Sequence, residues 1–94
     1  MKDGEHITYY DTDEILSKFN YLGGKFYGEC IYYFISGEIL SKRNFIDGEL
    51  HGECIKYYIS GEISIKCNYI NGKGVTEFEW LGYNRNLKFE LIGL

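Results

Sequence analysis

Apolar and polar residues alternate along most of this chain, in short runs closed by turn pairs. From Glu29 the order Glu-Cys-Ile-Tyr-Tyr-Phe-Ile meets Ser-Gly, then Glu-Ile-Leu-Ser-Lys-Arg-Asn-Phe-Ile meets Asp-Gly. Runs dense in Tyr, Ile and Phe between such pairs predict strands, and no sustained helical periodicity runs through the chain. The pattern also returns. Gly28 to His51 reads GECIYYFISGEILSKRNFIDGELH, and Gly52 to Val75 reads GECIKYYISGEISIKCNYINGKGV, an offset of 24 residues. Gly4 to Tyr27, GEHITYYDTDEILSKFNYLGGKFY, falls into the same frame. A fixed period in the twenties implies a repeat architecture in which each unit buries its apolar side against its neighbours. The expected fold is all-β: an elongated, curved antiparallel sheet of tandem 24-residue β-hairpin repeats. Residues 1–94 form one repeat domain, with repeats 4–27, 28–51 and 52–75 and a degenerate capping hairpin over 76–94.

Each unit holds two turn sites: Ser36-Gly37 with Ser60-Gly61 and Thr12-Asp13, and Asp47-Gly48 with Asn71-Gly72 and Gly23-Gly24. Such pairs supply the positive φ of tight hairpins. A two-residue turn at Ser36-Gly37 places Phe34 opposite Ile39, Cys30 opposite Arg43 and, one unit on, Cys54 opposite Cys67. Side chains alternate between faces, so one face carries the unbroken columns Tyr10/Phe34/Tyr58, Ile15/Ile39/Ile63 and Tyr21/Phe45/Tyr69. These nine residues are the expected core, with Phe34, Ile39 and Phe45 the most buried. The other face carries Ile7, Ile31 and Ile55 beside Tyr9, Tyr33 and Tyr57. An aromatic ladder of this kind is a candidate contact surface. Two readings stand: packing or self-association, and recognition of a separate ligand. On the same face Lys18, Lys42 and Lys66 are expected to meet Glu29, Glu53 and Glu77 of the following unit, fixing register more than stability. In the cap, Phe78, Trp80, Phe89 and Leu91 are expected to close the open end of the core.

Composition narrows the function. There are 14 acidic and 10 basic residues, for a net charge of −4, and no basic footprint of the sort nucleic-acid binders carry. Nucleic acid is therefore excluded as an expected partner, and anionic membrane surfaces rank last. No signal-peptide pattern or apolar run of spanning length is present. An odd count of three Cys fits a reducing compartment. A cytoplasmic protein is the expectation. Cys54 and Cys67 stand either as paired thiols filling space or as a cross-strand disulfide.

The recurring set Gly28, Tyr33, Phe34, Gly37, Ile39, Phe45, Asp47, Gly48 and Gly52, and then Tyr57, Tyr58, Gly61, Ile63, Tyr69, Asn71 and Gly72, resembles the MORN repeat. It is most similar to the bacterial MORN variant described as the YwqK-type antitoxin repeat. The resemblance spans Gly4 to Val75. It implies a twisted sheet of successive hairpins, and roles in protein–protein scaffolding, membrane-proximal assembly or toxin–antitoxin pairing. The chain departs from the variant at His6, Cys30 and Cys54, where a large aromatic is usual.

No enzyme chemistry is legible. His6 and His51 are isolated and form no metal-ligand set. The Glu columns give each carboxylate nearly the same surroundings, unlike a catalytic pair. No nucleophile has a base and an orienting group. The expectation is a non-catalytic module without metal or cofactor that binds a protein partner or itself. An antitoxin- or immunity-like protein masking a basic partner is the alternative.

Overall fold

A computed structural model describes residues 2–91 of the chain, with side chains through residue 85. Three long hairpins dominate. They pair β1 (Gly4–Tyr9) with β2 (Ile15–Leu22), β4 (Gly28–Tyr33) with β5 (Ile39–Ile46), and β7 (Gly52–Tyr57) with β8 (Ile63–Ile70). Three short strands, β3 (Lys25–Phe26), β6 (Glu49–Leu50) and β9 (Lys73–Val75), fold back on the ends of β2, β5 and β8. All pairs are antiparallel, and the order β1-β2-β4-β5-β7-β8-β9 makes an open, curled sheet.

The short strands explain the Asp-Gly signal. Asp47 and Gly48 have φ of 53° and 82°, the double positive φ of a type I′ turn, whose twist matches the strands it joins. Leu50 then lies opposite Phe45 and Glu49 opposite Ile46. From there the chain shifts. Phe45↔Leu50 gives way to Lys42↔Ile55 and Ser41↔Lys56, so two extra residues enter around His51 and Gly52, the latter at φ 90°. The same shift separates Tyr21↔Phe26 from Lys18↔Ile31.

The hairpin tips differ from expectation. Each loop holds three residues, not two. The Phe34 N–H donates to the Glu38 carbonyl at 2.8 Å, and the Gly37 N–H donates to the Phe34 carbonyl at 2.9 Å. Gly37 takes a left-handed φ, the arrangement of a type I turn followed by a bulge. The ladder absorbs the extra residue between Tyr32 and Tyr33, so Tyr33 opposes Ile39 while Cys30 still opposes Arg43. The first and third hairpins repeat this, with Tyr9↔Ile15 and Tyr57↔Ile63. Directly opposed residues share a face. Ile15, Ile39 and Ile63 therefore stand on the Tyr9/Tyr33/Tyr57 side, which corrects the expected separation of the two columns.

After β9 the chain forms α1 (Glu77–Leu91), not a capping hairpin. The cause is local. The Thr76 hydroxyl accepts from the Glu79 N–H at 3.1 Å, and the Glu79 carboxylate accepts from the Thr76 N–H at 3.2 Å. This reciprocal capping box satisfies two otherwise orphaned donors, and Glu77 and Glu79 place negative charge in the first turn. The helix lies against β8. Trp80 and Tyr83 stack at 5.9 Å, and both meet the His51 ring edge-on, at 5.6 and 5.5 Å. Phe78 is 86% exposed. The expected closing roles of Phe89 and Leu91 fall on side chains outside the described residues.

Candidate interaction surface

A single-layer sheet buries little, and the most buried side chains are small or polar. Among the described residues, Ser17, Ser41, Asn68 and Gly52 join Cys30 as the buried ones. Phe34, Ile39 and Phe45 are half-buried, so they are not the most buried positions expected of them. Tyr10, Ile15, Tyr21 and Tyr69 are half-buried too. Tyr58 and Ile63, at 57% and 53% exposed, face solvent. The physical reason is position. The first two hairpins each have a neighbouring hairpin beyond them, whereas among the described residues β8 is bordered on that side by β9 and α1.

The ladder residues sit on alternate strands: Lys18 and Lys42 stand between Ile7, Ile31 and Ile55. Ile7, Ile31, Tyr33, Ile55 and Tyr57 are half-buried, and Tyr9 is exposed. Ile15, Lys18, Tyr33 and Ile35 line a shallow depression of about 370 Å³ between the first two hairpin tips. The Tyr10 hydroxyl donates to the Tyr33 carbonyl at 2.6 Å and ties those tips together. The expected ion pairs do not form as assigned. Lys18 and Lys42 stand opposite Ile31 and Ile55, because the two-residue shift carries Glu29 and Glu53 past them. Lys66 pairs with Glu53 of its own hairpin at 3.4 Å, and Glu77 begins the helix. The other ion pair among the described residues, Lys25 to Asp47 at 3.3 Å, clips the two adjoining type I′ turns.

The opposite face carries an aromatic stack. His6 lies on Phe19 at 5.5 Å, Tyr21 on Phe26 at 4.9 Å, and Phe26 on Phe45 at 5.0 Å. Phe26 is the residue that sequence reasoning missed. It joins the Tyr21 and Phe45 positions of successive hairpins. Its signal was Gly23-Gly24, which sets Phe26 directly opposite Tyr21. Near the middle of this face, Tyr32, Leu40, Ser41, Arg43 and Lys56 line a hollow of about 270 Å³. The Arg43 Nε is buried there without a hydrogen-bond partner.

Groups suited to chemistry stay apart. All three cysteines are free, and Cys54 faces Cys67 in register. Burial pushes the Cys30 thiol up, against a smaller opposing pull from the Arg43 charge. Glu14 and Glu38 are held below their ordinary values, chiefly by hydroxyl hydrogen bonds from Thr12 and Ser36. Among the described residues no group of three His, Cys, Asp or Glu is placed to hold a metal ion.

Exposed apolar side chains gather at the β8 end of the sheet: Tyr58, Ile59, Ile63 and Ile65 are each more than half exposed, with Ile63 on the Tyr57 face and Ile65 on the Lys56 face. Beside it a cleft of about 520 Å³ opens between β8 and the β9–α1 connection. The three hairpin tips carry exposed carboxylates, at Asp11, Asp13, Glu14, Glu38 and Glu62. No family model, curated protein or solved structure matches this chain.

Proposed function

We propose that this chain is a non-catalytic module of three tandem 24-residue hairpins, of the MORN type its sequence resembles, and that it works by binding protein. The occupant is another copy or a separate partner. The supporting observation is the unfinished β8 end, where an open sheet edge coincides with exposed apolar side chains on both faces, Ile63 on one and Ile65 on the other. Open edges accept partner strands. The surface total agrees. A compact monomer of this mass exposes about 5,600 Å², whereas this chain exposes 6780 Å². Its radius of gyration is 15.5 Å, against about 12 Å for a compact domain of this length.

Photo-crosslinking tests the reading. A benzophenone side chain placed at Ile65 is expected to give protein adducts under native conditions, and the same probe at Tyr27 far fewer. Equal, background-level yields at both positions would contradict it. Adducts to the chain itself identify self-assembly, and adducts to another protein identify a partner.

The carboxylate rim at the hairpin tips favours a second reading, an antitoxin- or immunity-like protein that covers a basic partner. Here binding depends on salt, because opposite charges steer association. Replacing Asp13, Glu38 and Glu62 with Asn, Gln and Gln is expected to slow association and flatten its salt dependence. Unchanged rates would remove this reading.

A further inference from the structure

We propose that the outer edge of β8 is completed by β1 of a second copy of this chain, so that copies join head to tail. This rests on the protein-binding reading above and names the occupant of that same edge.

The second strands of the first two hairpins are paired on both sides. β2 lies between β1 and β4, and β5 lies between β4 and β7. β8 holds the same place in its hairpin, but β9 covers only Asn68 to Ile70. Along Ile63 to Cys67 its outer edge is unpaired among the described residues. The chain beyond β9 leaves the ladder at Thr76 and enters α1, which opens the cleft lined by Lys66, Cys67, Asn68, Thr76 and Glu77. A following strand would occupy that space.

The backbone bonds identify what is missing. The Asn44 carbonyl accepts the His51 N–H at 2.9 Å, so Asn44 bonds outward from β5. Bonding direction alternates along a strand, so Lys42 also bonds outward, and Ile55, directly opposite, returns the bond. Twenty-four residues on, Lys66 occupies the Lys42 position with its N–H and carbonyl turned to an edge that holds no strand among the described residues.

The sequence supplies the matching strand. β4 sets Ile31 against Lys18 and Tyr32 against Ser17; β7 sets Ile55 against Lys42 and Lys56 against Ser41. β1 occupies the same place in the first hairpin, and its outer edge is unpaired among the described residues. Docked in the same register, Ile7 of the second copy meets Lys66, Thr8 meets Ile65, and Glu5 lies diagonally beside Lys66. Ser17 and Ser41, flanked on both sides, are 2% and 4% exposed; Ile65, in the corresponding position, is 52% exposed. A docked strand would cover it. Each join leaves one free edge of each kind, so the interface is heterologous and growth continues copy by copy until a ring closes or a filament forms.

Two blocked variants test this. Ile7→Pro removes the outward N–H of β1, and Lys66→Pro removes that of β8. Proline is tolerated where an edge N–H faces solvent. In sedimentation velocity the wild-type mass is expected to rise with concentration, and either variant alone to associate about tenfold more weakly or less. Mixed in equal amounts, they are expected to form a 1:1 dimer that grows no further, because one intact edge of each kind remains to pair. Circular dichroism checks each fold. If a proline variant loses its strand signal, Glu5→Lys, which sets like charges diagonally across the join, or Ile65→Glu replaces it. Dimerisation of Ile7→Pro alone would mean that two β8 edges pair about a two-fold axis, and would overturn the proposal. A mixture that stays monomeric would overturn it too. A wild-type chain monomeric at every concentration would also overturn it, while the Ile65 crosslinking result would still decide the broader reading.

Discussion

At the scale of the residue, local hydrogen bonds and burial decide behaviour. The Ser36 hydroxyl bonds the Glu38 carboxylate across the second hairpin tip and, with a backbone hydrogen bond, holds that carboxyl below its ordinary value. Ser36→Ala is expected to return the Glu38 titration midpoint toward the ordinary value, read by NMR. The sign follows from linkage. A depressed carboxyl stabilises the fold at pH above the ordinary glutamate range, and that contribution is lost as pH falls through the folded value. Cysteine reactivity is equally local. Cys30 is 5% exposed and Cys67 is exposed. Thiolates, not thiols, react, so at mildly alkaline pH iodoacetamide is expected to label Cys67 at least about tenfold faster than Cys30. Mass spectrometry of timed samples reads this; equal rates would mean that β4 and β5 open freely.

At the scale of the element, turn chemistry accounts for both what the sequence revealed and what it concealed. The type I′ pairs and the alternating strands were legible, and Cys30↔Arg43 and Cys54↔Cys67 fall where counting from the turns puts them. The tips were misread by one residue. A three-residue loop and a two-residue turn leave the same register further along the strands once a bulge absorbs the difference. Only the tip residues change partners, and Ile39 moves to Tyr33's side. The helix was missed because the repeat was extended through Thr76. The capping box Thr76-Glu77-Phe78-Glu79 was the available signal, and local capping outweighed the weak alternation that follows it. Thr76→Ala is expected to cost the helix start about 1 kcal/mol. Trp80, the single tryptophan, would report it by a red-shifted emission as its contact with His51 loosens. At the second tip, Gly37 has φ 100°, a region that penalises a Cβ. Gly37→Ala is expected to destabilise the hairpin by about 1 kcal/mol or more, seen as a lower urea midpoint.

At the scale of the whole molecule, the chain extends 53 × 34 × 21 Å, and its single layer of strands buries few large side chains. Its cohesion comes from adjoining hairpins, each giving the next a flank. The candidate ladder Ile7, Tyr9, Ile31, Tyr33, Ile55 and Tyr57 stood out because those residue types recur in the sequence. The β8 edge was harder to see in the sequence, since an unpaired strand reads the same as a paired one until the chain after it is placed. Concentration is therefore the variable that matters. Amide hydrogen exchange, followed residue by residue in dilute and concentrated solution, tests the central claim most directly. The Lys66 and Ile7 amides are expected to exchange rapidly when dilute and to become protected together as concentration rises, while the Cys54 and Cys67 amides stay protected throughout. Rapid exchange of Lys66 and Ile7 at every concentration would contradict the claim.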